Sequence, residues 1–269
     1  MVGPVLASER HARITEMLRD SGVVSTEQFA LALDVSTETI RRDLVMLDRV
    51  GLLERVHGGA TATLAQPVGD EAPFSKRSGQ ENEAKRRMGI SAATLVRPGQ
   101  TIAIDIGTSA VCVARALPRD FSGIVATNSL LVAAELADRP NLQLLVSGGK
   151  IRAGDLALSN ATTNAFFADL YPDIAFLGSG GIDETVGLTD FHFDEVTTRK
   201  IIIANSTRSF VLADATKFGR IARHRVASFE QIAGLITDEA PPEPIAKAIA
   251  SAGGTVLLAG PRFLRSADS

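Results

Sequence analysis

The sequence predicts an α/β chain in two parts: a small helical domain closed by a β-hairpin, then a larger domain built on a mainly parallel sheet. Three observations predict it. Apolar residues recur at helical spacing in the first segments, ending with Ile40, Leu44 and Leu47. Gly58-Gly59 then separates two short strand-like stretches. From Thr101 to the end, apolar segments of strand length alternate with helical ones, the order that gives a parallel sheet covered by helices.

Ile14, Met17 and Leu18 lie at i, i+3 and i+4, which predicts a helix from about Ser8 to Asp20, stopped by Gly22. Ser25 followed by Gln28 has the form of a capping box. It opens a short helix with Phe29 and Leu33 on one face, and Asp34-Val35 makes the turn. A third helix starts at Ser36, whose hydroxyl can cap free amides, and carries the stripe Ile40, Leu44, Leu47. At 100° per residue, Arg41 and Arg42 are turned away from that stripe, and Thr37 and Thr39 fall in the first turn. This is the shape of a helix that enters a DNA groove. Gly51 ends it, and Leu52 to His57, Gly58-Gly59 and Ala60-Thr61-Ala62 form the hairpin, a wing. Asp43 is expected to orient an arginine.

Val35-Ser36, Thr39-Ile40-Arg41-Arg42-Asp43-Leu44, Gly51, Arg55 and His57-Gly58-Gly59-Ala60 resemble the signature of DeoR-family regulators. The resemblance implies a winged helix-turn-helix whose DNA-facing set is Ser36, Thr37, Thr39, Arg41, Arg42, Arg55 and His57. Arg41 or Arg42 would read guanine and the others hold phosphates. Charge runs against a generic DNA binder. Residues 1–63 hold seven Arg and no Lys against nine Asp and Glu, and the whole chain is at −3. Affinity must then come from a few placed arginines and from pairing two copies, so a homo-oligomer, dimer or tetramer, is expected.

Residues 64–82, with Gln66-Pro67-Val68-Gly69 and Ala72-Pro73, read as a linker between a DNA-binding domain at 1–63 and a second domain at 83–269. The second domain opens with a helix over Glu83–Val96. Its expected strands are Thr101–Asp105, Gly123–Thr127, Leu142–Val146, Ile174–Leu177, Ser209–Ala213, Ile232–Ile236 and Thr255–Leu258. Its further helices are expected at Ser109–Leu117, Ser129–Leu136, Ala161–Leu170, Glu195–Ala204 and Pro244–Ala252. Ligands bind such sheets at the carboxyl ends of strands. Asp105-Ile106-Gly107-Thr108-Ser109, Thr127-Asn128, Ser147 to Lys150 and Gly178 to Asp183 all follow strands. Glycines there let amides approach an anion, and the helix beginning near Ser109 favours a phosphate.

Together with Gly187-Leu188-Thr189 and Asp214 to Gly219, these loops resemble the sensor domain of the same family, related in fold to ribose-5-phosphate isomerase. The resemblance implies a phosphorylated sugar or polyol held by Asp105, Gly107, Thr108 and Ser109, with Thr127, Asn128, Gly148, Lys150, Gly180, Gly181 and Lys217 nearby. Asp105, an acceptor-only carboxylate, suits a sugar hydroxyl better than a phosphate. Asp194 to Lys200, Asn205-Ser206 and Lys217 to Arg220 are similar to the glycerol-3-phosphate branch of the family, with Thr197 and Arg199 as departures.

The expected function is a transcription regulator, a repressor of a carbohydrate or polyol operon released by its effector; an activator of the same operon is the variant. An isomerase-like enzyme using Asp105, Asp183, Glu195 or Asp214 as base, and a module whose helices bind protein, are the rivals. No catalytic set, metal site or cofactor is expected: four histidines form no ligand cluster, and the single Cys112 sits in an apolar stretch as packing. No apolar run approaches the ~20 residues that cross a bilayer. The charged start, Met1 to Arg13, does not fit a signal peptide, so a cytoplasmic protein is expected.

Overall fold

The computed structural model describes residues 7–49, 53–56, 58–62, 74, 77 and 82–260. The chain divides into two compact units, Met1–Gln66 and Pro67–Ser269. The first contains α1 (Ala7–Ser21), β1 (Val23–Ser25), α2 (Thr26–Leu33), α3 (Thr37–Arg49), β2 (Leu53–Val56) and β3 (Gly59–Ala62). Its core joins Ile14 and Leu18 of α1, Phe29 and Leu33 of α2, and Ile40, Leu44 and Leu47 of α3, each from the stripe its spacing predicts. The capping box is present: the Ser25 hydroxyl accepts the Gln28 amide at 3.2 Å, and the Gln28 side chain accepts the Ser25 amide at 2.8 Å. Asp34 closes α2 in the left-handed region, at φ 53°, a conformation Asp tolerates. The wing pairs Leu53 with Ala62 and Val56 with Gly59. A third strand, β1, joins it antiparallel through Val23 and Thr61. Three residues between a helix stop and a helix cap are too few to show a period of two, so β1 has no sequence signal. The predicted helix stop at Gly51 and most of the linker lie outside the described residues.

The second unit begins with α4 (Asn82–Ala93) and continues through β4 (Thr101–Ile104), α5 (Thr108–Ala116), β5 (Gly123–Thr127), α6 (Leu130–Leu136), β6 (Leu142–Val146), β7 (Lys150–Ile151) and β8 (Leu158–Ser159). Then come α7 (Ala161–Ala168), β9 (Ile174–Leu177), β10 (Gly181–Asp183), β11 (Gly187–Asp190), α8 (Phe193–Asn205), β12 (Ser209–Leu212), β13 (His224–Ala227), β14 (Gly234–Thr237), α9 (Glu243–Ser251) and β15 (Thr255–Leu258). Seven strands form one sheet in the order β15-β14-β12-β9-β4-β5-β6, with every neighbouring pair parallel. Its members are the seven segments expected from the sequence. Alternation along each strand sends Ile102, Ile104, Val125 and Phe176 into a core with α4, α5 and α6. Ala103, Ala126, Ala175 and Leu177 face the opposite core with α7, α8 and α9.

Two small antiparallel sheets, β7-β8 and β10-β11-β13, were not expected. Their strands are two to four residues long, and neither sheet has the apolar run that marks a buried strand.

The topology positions a site. The chain runs β4, β5, β6 in one direction and returns to lay β9 on the other side of β4. Strand order therefore reverses between β4 and β9, and the carboxyl ends of strands at such a reversal are where ligands bind open α/β sheets.

Candidate functional site

In the N-terminal unit, the Ser36 hydroxyl accepts the Thr39 amide at 3.2 Å and lies 2.9 Å from the Thr39 hydroxyl, which opens α3 as a capped helix. Thr37 and Thr39 are half-buried in its first turn. Arg41 and Arg42 project away from the core stripe, with side chains 62% and 80% exposed, and reach Glu38 at 3.8 and 3.3 Å. Such exposed pairs are worth little, so both guanidinium groups can be given up to a phosphate or base. Arg55 is exposed on β2 of the wing. His57 lies outside the described residues.

Asp43 lies in the apolar stripe one residue before Leu44 and is buried. It accepts Nε and Nη2 of Arg10 at 2.5 and 3.1 Å and lies 2.9 Å from Nε2 of His11. The arginine it orients belongs to α1. A charge inside a core stripe needs a partner; the sequence led to the expectation that Asp43 orients an arginine but did not say which. Burial raises the Asp43 pKa, but the hydrogen bonds and charges of Arg10 and His11 outweigh it and hold the carboxyl below its ordinary 3.8. A depressed carboxylate stabilises the fold fully above its unfolded value, and that stability is lost as pH falls through the lower folded value. Asp43→Asn should therefore lower the stability of this unit by about 1–3 kcal/mol at neutral pH. It should also flatten the loss of stability seen in thermal melts as pH falls below about 4, the ordinary carboxylate value beneath which the depressed group is protonated.

In the second unit, Arg199 of α8 is buried at the β4/β9 switch point. Its Nε donates to Asp105 Oδ2 at 2.5 Å, its Nη1 pairs with Asp190, and its Nη2 lies 3.7 Å from Glu195. Burial lowers its pKa, yet the three carboxylates more than compensate and raise it above the ordinary arginine value. Asp105 Oδ2 also accepts the Gly178 amide at 3.0 Å, so one carboxylate ties the ends of β4 and β9 to α8. The chain of charge continues outward. Arg152 pairs with both Glu195 and Asp155, and Arg77 Nη2 lies 3.7 Å from Asp155. Arg152, Arg77 and the role of Arg199 were missed at the sequence level: Asp155 and Glu195 are local to Arg152 and Arg199, but the pairs that join the network, Arg199–Asp105, Arg152–Glu195 and Arg77–Asp155, link distant segments.

Gly107 begins α5 at φ 104°, a conformation open to glycine, and no side chain caps the helix. Its first-turn residues Thr108 and Ser109 are half-buried. A Cβ on Gly107 would lie 4.0 Å from Arg77 Nη1, so a guanidinium stands beside this uncapped helix start. On the neighbouring strand Thr127 and Asn128 are fully buried. The Thr127 hydroxyl accepts the Ser129 amide at 3.0 Å. At the end of β6, Gly148 is exposed and its carbonyl accepts the Thr163 hydroxyl at 2.8 Å. Lys150 is exposed at the start of β7, and Lys217 is half-buried in a short helical turn after β12. Gly180 and Gly181 answer a packing need: a Cβ would meet the Phe191 ring at 2.9 Å from the first and the Arg220 carbonyl oxygen at 2.2 Å from the second. Topology thus brings Asp105, Gly107, Thr108, Ser109, Thr127 and Asn128 together on two adjacent strand ends, whereas Gly180 and Gly181 belong to the β10-β11 hairpin. Cys112 is buried, and burial pushes its thiol up, consistent with packing.

Among the described residues no group of three or more His, Cys, Asp or Glu is placed to hold a metal ion. No helix among them is long and apolar enough to cross a membrane.

The chain is similar to the glycerol-3-phosphate regulon repressor of Escherichia coli, 34% identical over 87% of this chain and 92% of that protein. It is equally similar to the HTH-type transcriptional regulator GlpR of Haloferax volcanii, 34% identical over 94% of this chain and 98% of the relative. Among solved structures, ribose 5-phosphate isomerase A from Methanocaldococcus jannaschii aligns with a TM-score of 0.39 and 19% identity, over 52% of this chain and 55% of that one. Residues 10–65 match the DeoR-like helix-turn-helix domain and residues 80–239 the DeoR C terminal sensor domain. With both domains matched in order and relatives aligned over most of its length, the chain belongs to the DeoR family of transcription regulators.

Proposed function

We propose that the chain is a repressor of a carbohydrate or polyol catabolic operon, working in the cytoplasm as a homo-oligomer and released from operator DNA by a phosphorylated sugar or polyol. Residues 1–63 bind DNA, 64–82 link, and 83–269 sense the effector. The observation that carries this reading is the pair Arg41 and Arg42, outward on a capped helix whose other face is core. The repressor names of relatives aligned over most of the chain support the same direction.

In this reading the phosphate sits on the uncapped start of α5 at Gly107, Thr108 and Ser109, beside Arg77. Asp105 faces the hydroxyl end, and Lys150 and Lys217 add positive charge at neighbouring loops. Two winged domains of one oligomer contact two half-sites, and bound effector alters their spacing. Catalysis is not part of the reading. Asp105, Asp190 and Glu195 are engaged with Arg199, an arrangement that holds shape.

A thermal-shift series against sugar and polyol phosphates tests the sensor. The effector should raise the melting temperature with concentration, by an amount corresponding to about 2.7 kcal/mol at a hundred times its dissociation constant. Free sugars should not. The same compound should weaken operator binding, and DNA should weaken effector binding by the same factor. Independent titrations of the two ligands would overturn the repressor mechanism, and turnover of pentose, hexose or triose phosphates above background would overturn the non-catalytic reading.

A further inference from the structure

Two buried oxygens at the carboxyl ends of the adjacent strands β4 and β5 accept no hydrogen bond from any described residue: Oδ1 of Asp105 and Oδ1 of Asn128. Asp105 is 1% exposed and Asn128 fully buried. Their identities as acceptors are secure from their surroundings. The other Asp105 oxygen is occupied by Arg199 and the Gly178 amide. The Asn128 nitrogen donates to the Leu158 carbonyl at 3.2 Å, while the Leu158 amide donates to the Asn128 backbone oxygen at 2.7 Å. That double bond to β8 fixes which way the Asn128 amide points, with its oxygen turned from Leu158.

The two residues sit side by side. Ile104 and Thr127 are paired in register on parallel β4 and β5, and Asp105 and Asn128 are the next residue on each. Neighbouring strands are about 4.8 Å apart, close to the separation of two acceptors that serve adjacent hydroxyls. Parity places both on one face: Ala103 and Ala126, two residues earlier, both pack toward α7 and α8. A buried acceptor left without a donor is costly, and a ligand that brings the donor recovers the loss.

We infer that Asp105 and Asn128 select effectors by oxidation state, each accepting a hydrogen from one of two neighbouring hydroxyls of a polyol phosphate, and that the corresponding ketone phosphates are rejected. A ketone oxygen cannot donate and sets lone pair against lone pair. The inference rests on the effector reading above, with the phosphate at Gly107 to Ser109, two residues along from Asp105.

The test is calorimetric titration of the full chain with matched pairs: glycerol 3-phosphate against dihydroxyacetone phosphate, and ribitol 5-phosphate against ribulose 5-phosphate. Inorganic phosphate and glycerol are the controls. In the better-bound pair the polyol should bind at least about tenfold more tightly than its ketone, the discrimination expected when one buried hydrogen bond is left unmade. One of the variants Asn128→Ala and Asp105→Asn, the one facing the carbon that is a carbonyl in the ketone, should bring the ratio to about one. The wild-type ratio needs no variant to fold. Equal binding of polyol and ketone phosphate overturns the inference while the sensor reading stands. A ratio that stays unchanged in both folded variants overturns the assignment to these residues. Absence of binding by all the phosphate esters overturns this inference and counts against a polyol-phosphate effector.

Discussion

Replacing Arg41 and Arg42 together with alanine should reduce operator affinity by about a hundredfold or more while leaving the melting temperature and effector binding unchanged. The size follows from the role. An arginine paired with a guanine edge is worth about 1–3 kcal/mol of discrimination, and a symmetric repressor makes the contact twice. The insensitivity of the fold follows from geometry: among the described residues each side chain pairs with Glu38 alone, across an exposed gap, and surface changes of this kind cost within about 0.5 kcal/mol. The two positions should separate further when changed singly. The one that reads a base should relax sequence preference at one operator position; the one that holds a phosphate should weaken all sequences alike and reduce the salt slope by about one per copy. Gel-shift titrations across salt concentrations read both. A double variant that binds operator normally would remove the observation on which the repressor reading stands.

The acidic balance of the N-terminal unit sharpens that expectation. Seven arginines against nine acidic residues leave no broad positive field to hold DNA nonspecifically. Asp43 further withdraws Arg10, binding it through two nitrogens. What remains for DNA is concentrated on α3 and the wing, so loss of two side chains cannot be masked by a diffuse background.

The parts visible in the sequence share a cause. Each of the seven strands of the main sheet is covered by helices, several of them on both faces, and so reads as an apolar run. The three N-terminal helices each bury one stripe and so show a helical period. The loops after strands were visible because the topology rule assigns them ligand. What was hidden is nonlocal or short. Arg199 and Asp105 are 94 residues apart, and the sequence marked Arg199 only as a departure from its relatives. Arg77 lies inside the stretch read as linker and gains meaning only when Gly107 is seen beside it. Gly180 and Gly181 looked like anion-binding glycines because a bare residue after a strand is the same letter whether it makes room for a phosphate or for a neighbouring chain.

Arg199→Met should be the most damaging single change in the sensor unit. It removes the guanidinium set among Asp105, Asp190 and Glu195 and leaves Asp105 and Asp190 buried without it, while Glu195 keeps its pairing with Arg152. Breaking a buried ion pair by deleting one partner costs about 3–5 kcal/mol, because the charge left behind has lost both water and counter-ion. For a unit of this size about 1 kcal/mol shifts the melting temperature by 2–4 °C, so a fall of roughly 6–20 °C is expected. Arg199→Lys should fall between, since a single ammonium cannot fork to several carboxylates as the planar guanidinium does. Adding Asp105→Asn and Asp190→Asn to Arg199→Met should restore part of the loss, because the two carboxylates that lost their counter-ion are then neutral. That recovery distinguishes electrostatics from packing: if the side chain mattered only by filling space, the triple variant would be no more stable than the single one. Asp105 also connects this network to the strand end proposed to meet the effector. The same substitutions should therefore weaken effector binding in the fraction that remains folded, and an Arg199→Met protein that keeps both its melting temperature and its ligand affinity would show that the buried charges neither support the sheet nor shape the site.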